Sequence, residues 1–350
     1  MQTDMHYYGT FAMARASGLI QEVAQVIAIA AEYVDDSDAV GLELQDGIVL
    51  GASPTAHHPL NKANLDIVDQ RGTWVPFHFL PGNEGDTTHE RLICRKDSKV
   101  AREMVDHHVA LPLEGYNLEL LGITAHAYAD TFSHYGFSGI GSPLNQVDPS
   151  TIKLHVKDTA VLEYITNKSK DFFEKYVFSV PANIAALGHG AVATFPDRPY
   201  LTWEFTYASS KKGSGARVNQ ATFLEACEKL HAMFIEFGER NTRFVESGAR
   251  RTFIAINATV KEVLAVEGDM AARIAAWQRV ASSGALFGKP VQIPAYSKTF
   301  AADIEIMKAH TMASVKSTSA YAFLKAAAVH RDYVVDELLP KYQLNVLSSI

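Results

Sequence analysis

The sequence predicts a single, all-α domain over residues 1–350. Apolar residues recur at three- and four-residue spacing along most of the chain, which is typical of amphipathic helices. No regular alternation of strands with helices indicates a parallel sheet. The chain is 47% apolar and 20% charged, so it holds ample material for a large hydrophobic core. We therefore expect a multi-helix bundle with a long irregular insertion after the first helix.

The N-terminal half is expected to carry long helices separated by loops. Its predicted helices cover residues 11–34, 91–109, 114–136 and 158–178. Gly18 is expected to break the first helix, and the acidic run at residues 35–38 ends its apolar pattern. Residues 41–90 are rich in Gly and Pro and also contain histidines. We interpret this insertion as a functional loop rather than a linker.

The C-terminal portion, residues 219–350, is predicted to be helical almost throughout. Its predicted helices cover residues 220–240, roughly 245–282 and 299–340. Asn219 precedes the first of them and is predicted to cap it, since Asn is favoured at N-caps. Residues 200–218 predict a short strand or hairpin arm, whereas residues 141–152 predict a loop.

Composition and charge exclude several classes of protein. The formal net charge of −7 is unsuited to gripping duplex nucleic acid, which needs a basic surface, but it permits a small phosphate ester held by a metal. The segment MQTDMHYYGT lacks the basic and apolar regions of a signal peptide, and no apolar run is long enough to span a membrane. The expected location is therefore cytoplasmic. The sequence predicts no oligomeric state.

Residues 126–139, HAYADTFSHYGFSG, contain the strongest candidate for a chemical site. His126, Asp130 and His134 are four residues apart, and on a helix this spacing places them in one stripe, each about one turn from the last. Two adjacent members can bind one metal ion, as in HExxH helices. Three members extend over roughly 12 Å, so a site that uses them all is expected to hold more than one ion, with Asp130 as a bridge. The alternative is a polar stripe that is hydrogen-bonded in the core.

Other segments supply candidate ligands of the same chemical type. These are Asp4 and His6 near the N-terminus, Asp35 and Asp36 after the first predicted helix, His78 between two phenylalanines, His189 between two glycines, and Asp197. Imidazole and carboxylate ligands favour zinc, manganese or iron. Cys94 and Cys227 lie far apart without CxxC spacing, so neither a thiolate site nor a disulfide framework is expected.

The order of these residues resembles that of the zinc-dependent phospholipase C and single-strand-specific nuclease superfamily. More closely, the segments DMHYYGTFAMARASGL, EYVDD, WVPFHFLPG, HAYADTFSHYGFSG and GHG followed by PD resemble an uncharacterised bacterial family related to that superfamily. The resemblance covers roughly residues 1–200, and the remainder is similar only in being helical. It implies an all-α fold that holds up to three zinc ions in a cleft.

The resemblance also implies a ligand set and a reaction. His6 is expected to bind one zinc ion with the bridging Asp130, while His134 and His189 bind a third. The second ion is expected to lie among Asp35 (or, as the less favoured choice, Asp36), His78, His126 and Asp130. In that superfamily a metal-bound hydroxide attacks the phosphorus of a phosphodiester. Asp130 and His134 are therefore expected to serve catalysis on a small-molecule phosphoester.

Three features depart from the superfamily pattern. Its N-terminal tryptophan, whose amine and carbonyl bind metal, has no counterpart here, and Asp4 is expected to supply a carboxylate instead. His134 follows Asp130 by four residues rather than six. Ala193 stands where the superfamily places a carboxylate, four residues after its last histidine, and Asp197 is the suggested substitute. Sites with one, two or three metal ions therefore all stay open.

Two other functions would use the same residues. A site of His and Asp could hold iron or manganese for redox chemistry. A metal closed by four protein ligands would stabilise a binding protein, whereas a catalytic metal keeps one position open to water.

Overall fold

Helices dominate the computed structural model, which describes residues 1–57, 66–177, 187–297 and 299–345. The helices are α1 (Thr10–Ala16), α2 (Gln21–Asp36), α3 (Ile67–Asp69), α4 (Val75–Phe77), α5 (Thr88–Arg91), α6 (Lys99–Ala110), α7 (Asn117–His134), α8 (Thr159–Val177), α9 (Asn219–Arg240), α10 (Phe253–Leu264), α11 (Met270–Ser282), α12 (Thr299–Lys308), α13 (Ser319–Asp332) and α14 (Leu339–Lys341). The expectation of an all-α fold is correct only roughly, because two small sheets are also present. Among the described residues, no helix combines the length and apolar character needed to cross a membrane.

Both sheets are antiparallel and lie in segments that connect helices. The first pairs β1 (Gly41–Glu43) with β2 (Val49–Gly51) inside the predicted irregular insertion, of which residues 58–65 lie outside the described part of the chain. The second has the order β3-β4-β5 and contains β3 (Val147–His155), β4 (Thr202–Tyr207) and β5 (Arg217–Val218). The predicted strand within 200–218 is confirmed, whereas the loop predicted at 141–152 is wrong in its second half. Pro149 and a register shift between Asp148 and Lys153 conceal the alternation expected of a strand.

The first predicted helix is divided at Gly18, as expected. Gly18 adopts a left-handed backbone conformation, with φ at 104°, between α1 and α2. Before α1 the chain forms a π-helical segment, Asp4–Gly9, which continues directly into the α-helix. A second π-helical segment, Gln70–Trp74, continues into α4. Such segments are uncommon and often occur at functional sites, and here they lead to His6 and His78.

The central element is α7, which is buried along almost its whole length. It packs against α2, α6, α9 and α13. A helix that is buried on every side is typical of the interior of a large domain. Its small residues, Gly122, Ala125, Ala127 and Ala129, are all buried. The polar residues of the motif at 126–134 therefore lie in the core and not on a solvated face.

Gly122 sets the distance between α7 and α2. A Cβ atom at this position would lie 2.4 Å from the carbonyl oxygen of Ile27 and 2.7 Å from the Cβ of Ala30. Because these contacts are with backbone and a rigid methyl group, a larger residue must push the two helices apart. His126, one turn further along α7, hydrogen-bonds the backbone of α2 across the same contact.

We predict that Gly122→Ala lowers the free energy of unfolding by about 1–3 kcal/mol, the usual cost of overpacking a core. The matched control is Gly115→Ala, where the added Cβ meets no atom within 4 Å. Urea unfolding followed by circular dichroism measures both. Equal stabilities for the two variants would show that the α2–α7 contact is not tight.

Candidate metal centre

Five separate segments bring eight candidate ligands to one place around α7. They are His6 of the first π-helical segment, Asp35 near the end of α2, His78 just after α4, His126, Asp130 and His134 of α7, and His189 and Asp197 between α8 and β4. All are described residues, and most are buried. The side chain of Asp35 is 31% exposed and that of His189 is 18% exposed, so the cluster meets solvent at these two residues.

Asp130 lies at the middle of the cluster and is fully buried. Its Oδ1 contacts the amino group of Met1 and lies 3.2 Å from His6 Nε2. Its Oδ2 lies 3.2 Å from both His78 Nδ1 and His126 Nε2. The two carboxylate oxygens therefore face different groups of ring nitrogens, which is the arrangement that a bridging carboxylate requires.

The potential ligand atoms fall into three groups, within each of which all atoms lie within 4.8 Å of one another. The groups are His6, His126 and Asp130; Asp35, His78 and His126; and His134, His189 and Asp197. Four ligands at about 2.1 Å from a tetrahedral ion are separated by about 3.4 Å. The distances within the cluster, for example 3.9 Å from Asp35 Oδ1 to His126 Nε2, are close to that spacing.

Four of the histidines are oriented by hydrogen bonds to backbone carbonyl groups. The Nδ1–H groups of His126, His134 and His189 donate to the carbonyls of Ala31, His78 and Ala193, at 2.7, 2.8 and 2.7 Å, and His78 Nε2–H donates to Thr55 at 2.8 Å. Because a carbonyl only accepts hydrogen bonds, each ring must carry its proton on that nitrogen. Whenever such a ring is neutral, its other nitrogen is a bare lone pair. Hydrogen bonds of this kind, from the ring nitrogen that does not face the metal, orient metal-ligating histidines in general.

Lone pairs and carboxylate oxygens therefore converge at the cluster, and both are acceptors. His6 shows the shortage of donors most clearly, because both of its ring nitrogens are buried without a hydrogen bond to any described residue. Its ring stacks on that of His126 with centroids 3.6 Å apart. Buried polar atoms without partners are costly. A cation among these atoms would satisfy them, so the residues fit a metal ion.

The carboxylates of the cluster also stabilise positive charge on their neighbours. Burial lowers the pKa of the Met1 amino group, but Asp130 and Asp197 outweigh that effect and raise it to about 11. Burial also lowers the pKa of His78, yet its hydrogen bond to Asp130 and the charge of Asp35 raise it above its ordinary value. In each case the carboxylates stabilise a cation that burial alone would exclude.

Two other histidines stay neutral in the same environment. Burial, with His126 and the Met1 ammonium group nearby, lowers the pKa of His6 to about 3. Burial lowers the pKa of His189 to about 4 despite the opposing charge of Asp197. Both rings therefore offer an unprotonated nitrogen at neutral pH, which is the form that binds metal.

His134 lies within the cluster despite its altered spacing. Its Nδ1 is held by the carbonyl of His78, and its Nε2 lies 3.1 Å from Asp197 Oδ1. Asp197 Oδ2 in turn lies 3.7 Å from His189 Nε2. Ala193, at which the resemblance predicted a carboxylate, instead holds His189 through its backbone carbonyl. Asp197 lies close enough to His134 and His189 for the three side chains to be able to hold a metal ion.

Two candidate ligands are placed outside the cluster. Asp4 forms a buried ion pair with Arg273, whose Nη1 lies 2.9 Å from both carboxylate oxygens, so the expectation that Asp4 replaces the missing N-terminal ligand is not supported. Asp36 accepts a hydrogen bond from the hydroxyl of Tyr296. Adjacent residues on a helix point about 100° apart, and it is Asp35 that faces the histidines.

Three groups that serve the cluster were not found from the sequence. The Met1 amino group contacts Asp130, and Arg273 anchors the segment that carries His6. Asn219 does not cap α9 as predicted; its Nδ2 instead donates to the carbonyls of Phe195 and Arg198, on either side of Asp197. No local pattern marks a residue whose partner lies so far away in the chain.

The comparisons with known proteins identify a family but no activity. A family model described as a family of unknown function (DUF6765) matches residues 1–338. The chain belongs to this family. No curated protein and no solved structure matches it. The geometry of the cluster is therefore the principal evidence for a function.

We predict which ring nitrogen carries the proton in three of the cluster histidines. In metal-free protein at pH 7, His126, His134 and His189 should carry their proton on Nδ1, and zinc should shift the Nε2 resonances while the Nδ1–H groups persist. Long-range ¹H–¹⁵N NMR measures this. His231 is the internal control, since its Nε2–H donates to the carbonyl of Arg251 and it should show the opposite tautomer. An Nε2–H form at His126 would contradict the ligand assignment.

We also predict that Arg273→Gln lowers the free energy of unfolding by about 3–5 kcal/mol, because it leaves the buried carboxylate of Asp4 without its partner. Arg279→Gln, an exposed position on the same helix, is the control and should change stability by less than about 0.5 kcal/mol. Chemical denaturation compares them. If Arg273→Gln is as stable as the control, the ion pair does not anchor the N-terminal segment.

Proposed function

We propose that this protein is a metal-dependent hydrolase of phosphoester bonds, with zinc as its metal. The observation that carries the proposal is the convergence of imidazole nitrogens and carboxylates around Asp130, with each of four histidines fixed by a backbone carbonyl. A polar stripe that only supported the core would place donors against acceptors. Here both ring nitrogens of His6 are buried without a well-aligned hydrogen bond to any described residue, and Nε2 lies 3.2 Å from a carboxylate oxygen of Asp130.

The ligand chemistry supports zinc ahead of other ions. The cluster offers imidazole and carboxylate groups, a set common to zinc, manganese and iron. The two cysteines are free and buried, and neither belongs to the three ligand groups. The spacing of 3.1–3.9 Å between neighbouring ligand atoms suits a small tetrahedral ion. Elemental analysis distinguishes the three metals directly.

The three ligand groups would hold up to three ions. Asp35, His78, His126 and Asp130 would form one site, and Asp130 would be shared with a second site at His6. His134, His189 and Asp197 would form the third. Bound metal would supply an activated water at neutral pH and would neutralise charge on the phosphoryl oxygens.

The chain itself would position the substrate at the partly exposed edge of the cluster. Asp35 and His189 reach solvent, while the ligands between them are buried. A phosphoester would therefore approach from this edge, and the buried interior would exclude bulk water. The order of the ligands along the chain, which resembles that of zinc-dependent phospholipase C, is what favours a phosphoester over other substrates.

A structural metal site is the second candidate. The near-complete burial of six of the eight ligands favours it, because structural zinc sites are closed to solvent. The exposure of Asp35 and His189 favours catalysis. The two functions differ in one measurable respect: a structural site binds metal tightly but hydrolyses no phosphoester.

We predict that the purified protein contains zinc and hydrolyses a chromogenic phosphodiester, that a chelator abolishes the activity, and that added zinc restores it. Asp130→Ala should lose bound metal and at least about 100-fold in activity, since even the loss of a residue that only hydrogen-bonds a metal ligand costs about 10–100-fold. Asp106→Asn, at an exposed position on α6, is the control and should retain both. Mass spectrometry of bound metal and initial rates measure the effects.

Two results would contradict the proposal in different ways. An absence of zinc after repletion, or full retention of metal and activity by Asp130→Ala, would reject the metal centre. Zinc bound at Asp130 without hydrolysis of phosphomonoesters or phosphodiesters would favour the structural site instead.

A further inference from the structure

Buried arginines in this fold are generally matched by several acceptors. Arg15 pairs with Glu246 and the carbonyl of Leu19, Arg217 donates to the carbonyls of Tyr135 and Ser133, and Arg273 bonds Asp4 and Gln2. Such matching is needed because a buried guanidinium without acceptors is strongly unfavourable.

Arg198 departs from this pattern. It is 3% exposed, and within the described residues its side chain donates a hydrogen bond from Nη2 to the hydroxyl of Thr194, at 3.1 Å. Its Nε and Nη1 atoms are buried with no partner, and it pairs with no carboxylate in the described part of the chain. The ring of Tyr164 lies 5.3 Å from the guanidinium carbon and provides a cation–π contact, which accepts no hydrogen bond in the plane of the guanidinium.

A buried tyrosine hydroxyl lies beside Arg198. It belongs to Tyr200, lies against the Arg198 side chain, and has no acceptor for its own proton among the described residues. Burial raises the pKa of Tyr200, and the charge of Arg198, a hydrogen bond from its side chain and the charge of Arg273 oppose that rise. The local imbalance is the reverse of that at the metal centre, because donors and positive charge collect here without an anion.

We propose that Arg198 and Tyr200 form a binding site for a phosphate group. Guanidinium groups bind phosphate strongly because their N–H groups match its oxygens in both charge and geometry. The phosphate is either free inorganic phosphate or a phosphate carried by an organic molecule, since both present the same oxygens. The inference goes beyond the proposed function, because Arg198 is not among the metal-ligand groups and its role does not require catalysis.

The site adjoins the metal centre through a single short segment. Arg198 follows Asp197 directly, and Asn219 holds the carbonyl of Arg198 at 2.9 Å. Asp197 lies in the ligand group with His134 and His189. An anion at Arg198 and a cation at Asp197 would therefore be bound by one loop, and each would reduce the charge imbalance that the other site leaves.

Titration calorimetry with inorganic phosphate tests the proposal on the full chain, both with metal and in the presence of chelator. We expect saturable binding in both states, and at least tenfold weaker binding by Arg198→Met. Arg198→Lys should be intermediate, because it keeps the charge and loses the planar fork. Arg279→Gln is the matched control and should bind as the unaltered protein does. Competition by glycerol phosphate at equal affinity would identify a phosphate carried by an organic molecule; no competition would identify the free ion.

Thermal unfolding separates a binding role from a structural one. Without phosphate, Arg198→Met should melt at the same temperature as the unaltered protein or higher, since it removes an unmatched buried charge. Phosphate should raise the melting temperature of the unaltered protein and leave that of the variant unchanged. Tyr200→Phe, which keeps the ring, should also weaken phosphate binding. The proposal is overturned if the Arg198→Met and Tyr200→Phe variants bind phosphate as tightly as the unaltered protein does. It is also overturned if the unaltered protein binds no phosphate in the presence of chelator, whether or not zinc binds at the other site.

Discussion

The buried carboxylate of Asp130 is the group around which the rest of the molecule is arranged. Its two oxygens face His6 on one side and His78 and His126 on the other, at 3.2 Å in each case. A buried carboxylate is unstable without positive charge close to it. The Met1 amino group stands at Oδ1, and a metal ion would meet the same requirement. A positive charge next to Asp130 therefore stabilises the folded core.

Backbone carbonyl groups of neighbouring elements orient the histidine rings of this cluster. One ring N–H donates a hydrogen bond to each of four backbone carbonyls, those of Ala31 on α2, Thr55 in the insertion, His78 after α4 and Ala193 in the loop before β4. The contact at Gly122 brings α2 close enough for the first of these bonds. The tautomer of His126 thus depends on the packing of α2 against α7, because a shift of α2 would break the hydrogen bond that holds the His126 ring. The ligand geometry is as rigid as the packing of the helices that carry it.

Charge is balanced across the molecule by pairs that are distant in sequence. Arg273 of α11 neutralises Asp4 and so anchors the segment that delivers His6, which makes the C-terminal helices part of the site's support. Arg198 has no carboxylate partner in the described part of the chain, although it adjoins Asp197. The acceptor-rich cluster and the donor-rich site beside it are complementary, and together they suit a ligand set of metal cations and a phosphate anion.

The sequence by itself determined the main helices, the break at Gly18 and most of the candidate ligands, because helical periodicity and residue chemistry are local properties. It placed His126, Asp130 and His134 on one face of α7 by spacing alone. Only the tertiary structure decided between Asp35 and Asp36, assigned Asp4 to Arg273, and brought Asp197 to His134 and His189. It also revealed β3, whose pattern Pro149 obscures. The physical reason is that the partners of a side chain are set by contacts between segments that are distant in sequence. Asp4 and Arg273, for example, are 269 residues apart.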